Sequence, residues 1–198
     1  MKFKLPVMGE WLVFSGGEIP EENLHNGHRP QDFAIDMVPT GQVVGNLVDS
    51  LTDYPGFGQK LYAPADGQVV QVVDGMPDNE PGYLDGFMAL GNHVIIRHAE
   101  NVYSVIAHIK KASSIVSEGE EIKQGQELGV IGNSGNTTEP HLHMHIMSSL
   151  TIGKRMPPKF QYEPVAESVE LVFENILVNG EDRESYKPRK NDIISNIQ

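Results

Sequence analysis

A chain of 198 residues has room for one domain with added loops or an appended segment, not for two large domains. Asp and Glu outnumber Lys and Arg by 27 to 15, a net charge of −12. Without a basic stripe such a chain is unsuited to a phosphate backbone, which excludes nucleic acid as a partner. Cysteine is absent, which removes disulfide frameworks, thiolate zinc sites and cysteine nucleophiles together and leaves the redox compartment open.

No stretch approaches the ~18 apolar residues of a membrane-spanning helix, and residues 1–9 lack the apolar core of a secretory leader. Helix signals are weak: the nearest candidate, 113–126, is interrupted by Gly119 and Gly125. Strand signals are short and bounded by turn residues. In chain order they cover 33–38, 67–73, 93–98, 102–108, 128–131 and 141–147, with 168–173 and 176–178 as further candidates. Between them, 46–58 and 74–91 are rich in Gly, Pro and Asp and read as long excursions that wall a groove. The expected fold is mainly β, a small antiparallel sheet of barrel-like character. The division expected is a unit over 1–150 and a C-terminal β extension over 151–198, whose polar end from about Arg183 is expected to dock loosely.

Three of the eight histidines fall within five residues, in Pro140-His141-Leu142-His143-Met144-His145-Ile146. On a strand, Leu142, Met144 and Ile146 face a core while His141, His143 and His145 share the opposite face, roughly 6.6–7 Å apart. Two such imidazoles can bracket one zinc ion, or one can bind the metal while its neighbour handles protons. A bare surface strand carrying histidine is the plain alternative; a cupin would want a glutamate where Met147 and Ser148 stand. Asp36 sits among apolar residues in a predicted strand, where a carboxylate is costly unless paired, metal-bound or at a wet edge. His108 closes a strand in which Val102, Ser104, Ile106 and His108 are expected to share a face, a position that a structural histidine also fills.

The run Gly125-Gln126-Glu127-Leu128-Gly129-Val130-Ile131-Gly132-Asn133-Ser134-Gly135, leading to Pro140-His141-Leu142-His143, resembles the signature of the lysostaphin/LytM-type zinc metallopeptidases, the peptidoglycan endopeptidases. Ala63-Pro64-Ala65-Asp66-Gly67-Gln68-Val69-Val70 is similar to that family's first hairpin, and Gly91–Ile96 and 103–108 to its central strands. The resemblance spans roughly residues 9–150. It implies a LytM-type domain holding one Zn2+ between His25, Asp36 and His143, with His108 and His141 as catalytic histidines. His25 is taken through the pattern Gly16-Gly17, Asn23-Leu24-His25, Gln31-Asp32-Phe33-Ala34-Ile35-Asp36. His28, four residues before Asp32, is the reserve. His145 stands where relatives often carry an acid and is given no direct role on the metal; His93 and His98 are read as structural.

The implied activity is hydrolysis of peptide bonds in peptidoglycan stem or cross-bridge peptides, by attack of a zinc-bound water assisted by the two histidines. It implies a cell-envelope or secreted setting, with a peptide as the only partner read. A non-catalytic activator module of the same fold is the competing reading. A lipoyl- or biotinyl-type carrier fails, because the position after Asp74-Gly75 holds Met76 in place of a lysine.

Overall fold

The structure, a computed structural model, describes residues 1–150 and 166–197. Among the described residues thirteen strands follow in chain order: β1 (Trp11–Ser15), β2 (Ile35–Pro39), β3 (Lys60–Tyr62), β4 (Gly67–Val73), β5 (His93–Ala99), β6 (Val102–Ala107), β7 (Glu121–Ile122), β8 (Glu127–Val130), β9 (Leu142–Met147), β10 (Ser168–Val169), β11 (Phe173–Val178), β12 (Glu181–Tyr186) and β13 (Ile193–Asn196). Two short 3-10 turns complete the regular structure, and the described residues contain no α-helix. None therefore holds a helix long and apolar enough to cross a membrane. The fold is mainly β, as its sequence implies.

One sheet runs in the order β12-β11-β13-β1-β2-β9-β6-β5-β4-β7, with β10 also paired to β9, while β3 and β8 form a separate pair. Every ladder is antiparallel. β9 lies at the middle, between β2 and β6, with Asp36 opposite His143 and Ala107 opposite His143 on the other side. The alternation in β9 works as its sequence dictates. Leu142, Met144 and Ile146 join Ile35 and Met37 of β2, Ile106 of β6, and Trp11 and Val13 of β1 in the main core. Each such side chain, fully buried, contributes about 1.5–3 kcal/mol, and this shared apolar face fixes the register that puts the polar face together.

The predicted strands 67–73, 93–98, 128–131 and 141–147 match observed ones to within one residue at either end. β1, β3, β7, β12 and β13 were outside the sequence reading. The C-terminal end differs from expectation most. Instead of docking loosely, it supplies β12 and β13, and β13 enters the sheet between β11 and β1, with Ile194 buried opposite Trp11. Asn196 Nδ2 lies 3.0 Å from the carbonyls of both Leu5 and Val7. Polarity misleads here because the side chains of β12 are almost wholly solvent-facing while all of its residues but Glu184 pair with β11. β10 reaches further in: it pairs with the end of β9, and Ser168 Oγ accepts from the Phe33 amide at 2.9 Å. Residues 166–169 thereby brace the segment leading into β2. The first part of the expected C-terminal extension, 151–165, lies outside the described residues.

Candidate metal centre

Asp36 organises the polar face. It sits on an interior strand, not at a wet edge, and is buried. Its Oδ1 is 2.8 Å from His143 Nδ1 and 3.6 Å from His141 Nε2, and its Oδ2 is 2.7 Å from His25 Nε2. Burial alone would raise this carboxyl, but the three imidazoles outweigh it and hold it well below the usual carboxylate range. Facing strands place Asp36 and His143; His25 arrives from a loop and needs its own support. Asn23, buried beneath that loop, supplies it. Its Nδ2 lies 2.8–3.3 Å from the carbonyls of Gly17, Asp32 and Ala34, and its Oδ1 accepts the His25 amide at 2.9 Å. Ser15 Oγ accepts the Leu24 amide at 3.0 Å.

His108 corrects the sequence reading. Strict alternation along 102–108 would put it on the Ile106 face, inside the apolar core. The strand instead ends at Ala107, and His108 adopts φ +58°, a left-handed conformation uncommon for a residue with a side chain. That one residue turns the imidazole over to the polar face, 4.8 Å from the His141 ring and 5.6 Å from the His143 ring, centroid to centroid. Its Nδ1 is held 2.8 Å from the Ser134 carbonyl. Ser134 in turn crowds Gly91, where an added Cβ would stand 2.2 Å from the Ser134 carbonyl oxygen. Only glycine allows this approach, at φ +57°. His141 is fixed in the same manner, with Nδ1 2.9 Å from the Glu139 carbonyl and 3.2 Å from Thr137 Oγ1. A carbonyl can only accept, so Nδ1 of each ring is the donor to it, which leaves Nε2 for other partners; that of His141 lies 3.6 Å from Asp36 Oδ1.

Two sets of donor atoms converge, each within 4.8 Å: His25 with Asp36 and His143, and His108 with His141 and His143. His28 lines the same cleft without belonging to either set. His93 and His98 stand apart. His93 Nδ1 contacts the Gly91 carbonyl at 2.8 Å, and His98 bridges the Asp66 carbonyl and Ser104 Oγ, each at 2.7 Å. The cleft measures about 380 Å³. Its walls are Leu24 and His28 on one side, Leu84, Ala89 and Leu90 on another, and 136–139 on a third. The excursion 74–91 is thus a wall, as expected, but 46–58 contributes no lining residue. It stands behind, with Leu47 against Gly82, while Gln42 and Gly45 bond to Glu139 and the Pro140 carbonyl. Asn23 stands in the Asn23-Leu24-His25 pattern, but its supporting role is visible only in the structure; Gln42, Glu139 and Thr137 are supporting residues that motif reading missed.

The buried imidazoles make stability depend on pH. Burial is the largest cause at His93, His98, His108, His143 and His145, and holds all five below the ordinary imidazole range, most strongly at His108 and His145. The unfolded chain therefore takes up protons near pH 6.5 that the folded chain refuses, so acidification favours unfolding. At His141 burial is outweighed by Asp36, its value is raised, and its contribution has the opposite sign: present below the unfolded value and lost as pH rises through the folded one. Five groups against one set the net direction. Chelator-treated protein is expected to lose stability between pH 7.5 and 5.5, by up to about 1.4 kcal/mol per pH unit for each strongly held histidine. Urea midpoints measured across that range check it; a higher midpoint at pH 5.5 contradicts the account.

A family profile described as peptidase family M23 matches residues 49–157, more than half of the chain. Over 125 residues the chain is 27% identical to the peptidoglycan DD-endopeptidase ShyA of Vibrio cholerae, covering 58% of this chain and 26% of that protein. Over 89 residues it is 34% identical to the murein hydrolase activator NlpD of Escherichia coli, covering 45% and 20% respectively. A solved structure, that of a zinc-containing peptidase from Vibrio cholerae, superposes with a TM-score of 0.46 at 22% identity, over 74% of this chain and 36% of that one. The chain spans about a quarter or less of the length of these curated relatives.

Proposed function

We propose that this chain, which belongs to peptidase family M23, is a zinc metalloendopeptidase that cuts peptide bonds in peptidoglycan stem or cross-bridge peptides of the cell envelope. The observation that carries the reading is the donor set around Asp36: two imidazole nitrogens and a carboxylate oxygen converging in a buried pocket that opens on a cleft. Its chemistry fits zinc. Two neutral histidines and one carboxylate form the three-ligand set of catalytic sites, in contrast to the four-ligand set of structural ones. We assign His25, Asp36 and His143 as the residues that hold the ion, within a catalytic unit over 1–150 that the extension 151–198 supports. When bound, zinc supplies a Lewis acid that polarises the scissile carbonyl and makes water nucleophilic near neutral pH.

The protein's own groups carry the rest. His108 and His141, which line the cleft with Nδ1 tied to a backbone carbonyl, jointly take the proton from the attacking water and return one to the departing amine. A protonated ring of that pair also donates to the oxyanion that develops on the substrate. Phe14 packs edge-on to His141 at 5.5 Å and limits how that ring turns. Leu24 and Leu84 on the rim offer apolar contact to the peptide on either side of the bond.

The similarity to an activator protein favours a second reading, a module that binds peptidoglycan without cutting it. The complete set of two histidines, one aspartate and two further histidines speaks for the enzyme. Incubation of the zinc-loaded protein with purified peptidoglycan, followed by mass spectrometry of soluble fragments, separates the two. New amino termini that disappear with chelator and return with zinc are expected. Binding without cleavage supports the activator reading instead.

A further inference from the structure

His145 has no part in the chemistry derived above, although it is as buried as His143. The alternation of β9 sets it on the face of His143, and the two rings stand 5.2 Å apart at 71°, with His145 Nδ1 3.0 Å from His143 Nε2. The His143 ring has two nitrogens with opposed tasks. Nδ1 is directed at Asp36 Oδ1, 2.8 Å away, and so at the position of the ion. A nitrogen that binds a cation must offer its lone pair, which leaves the ring proton on Nε2. A buried N–H without an acceptor is destabilising, and ligating histidines characteristically donate their second N–H to a fixed acceptor that orients the ring.

We propose that His145 is a positioning residue for the metal centre: its Nδ1 accepts the Nε2–H of His143 and so fixes the His143 ring with Nδ1 toward the ion. The inference rests on the metal-centre reading given above. It requires one arrangement of protons in the loaded protein, with His145 protonated on Nε2 alone. Without the ion, Asp36 Oδ1 takes the Nδ1–H of His143, the freed Nε2 lone pair accepts, and His145 Nδ1–H becomes the donor. Metal entry therefore reverses the direction of the hydrogen bond between the two imidazoles.

The test combines zinc affinity, by competition with a chromophoric chelator, and 15N spectra of the imidazoles. His145→Leu keeps the bulk and removes the acceptor, and is expected to weaken zinc binding about 10- to 100-fold. His145→Asn, whose Oδ1 falls near the place of Nδ1, is expected to restore affinity close to that of the parent. In the zinc-loaded parent, His145 Nδ1 should be unprotonated, and on chelation it should acquire the proton. A folded His145→Leu protein that binds zinc like the parent overturns the proposal, as does a proton on His145 Nδ1 in the loaded protein. The spectra of the parent decide the matter even where the leucine variant does not fold. A parent that binds no zinc at all overturns the metal centre itself, a different failure from loaded protein with the opposite proton arrangement.

Discussion

Asp36→Asn is expected to abolish zinc binding and peptide hydrolysis together while leaving the sheet assembled. The side chain keeps its size, and its neighbours on the apolar face, Ile35 and Met37, are untouched. The antiparallel pairing of Asp36 with His143 through the backbone also survives. What is lost is the negative charge that sits within 3.6 Å of three imidazoles. Residues that merely orient a ligand cost 10- to 100-fold in metal affinity when removed, so the loss of a charged ligand should cost at least about 100-fold. Zinc stoichiometry by atomic spectroscopy and fragment release from peptidoglycan check both halves. A variant that keeps one zinc per chain and parental activity removes Asp36 from the centre.

The second large effect belongs to the pair that faces the cleft. His108→Ala and His141→Ala are each expected to retain one zinc per chain and to lose about 10²- to 10⁴-fold in kcat/KM, the usual worth of a positioned acid or base. That loss corresponds to about 2.7–5.5 kcal/mol of transition-state stabilisation. The double variant should fall little below either single one, since groups that act as a unit are not additive. Retention of zinc is the discriminating result, because the second converging donor set contains both residues together with His143. If either alanine variant loses the metal, that residue is a ligand and the division of labour must be redrawn.

The strands that carry Asp36 and His143 are readable because two periodicities coincide in them. Leu142, Met144 and Ile146 need a core, and the two-residue repeat of a strand then leaves the intervening histidines on one face. The same logic applies to Asp36 between Ile35 and Met37. His108 defeats it, because its placement depends on a single left-handed residue at the end of β6 that no pattern announces. The loop that carries His25 is set by Asn23 and Ser15 buried beneath it, and their partners are backbone groups that sequence does not mark. Of the C-terminal strands, β10 and β11 overlap the candidates 168–173 and 176–178, whereas β12 escapes the reading for another reason. β12 lies at the sheet edge with its side chains almost all in water, so it lacks the apolar repeat by which strands are found. The excursion 46–58 has the composition of a rim loop, yet it lies a layer behind the rim, against Gly82.

The groups that surround Asp36 come from far apart in the chain: residue 25 from its own loop, residue 108 after two intervening hairpins, residue 141 just before the middle strand and residue 143 within it. An unfolded polypeptide has no such cage, only scattered weak donors, so an ion cannot act as a seed for collapse. Long-range ladders with costly loop closure must zip first, and a cation held at the proposed centre would arrive as a late rivet that clamps the finished weave. Its influence would then fall on how slowly the native molecule opens, not on how fast it forms.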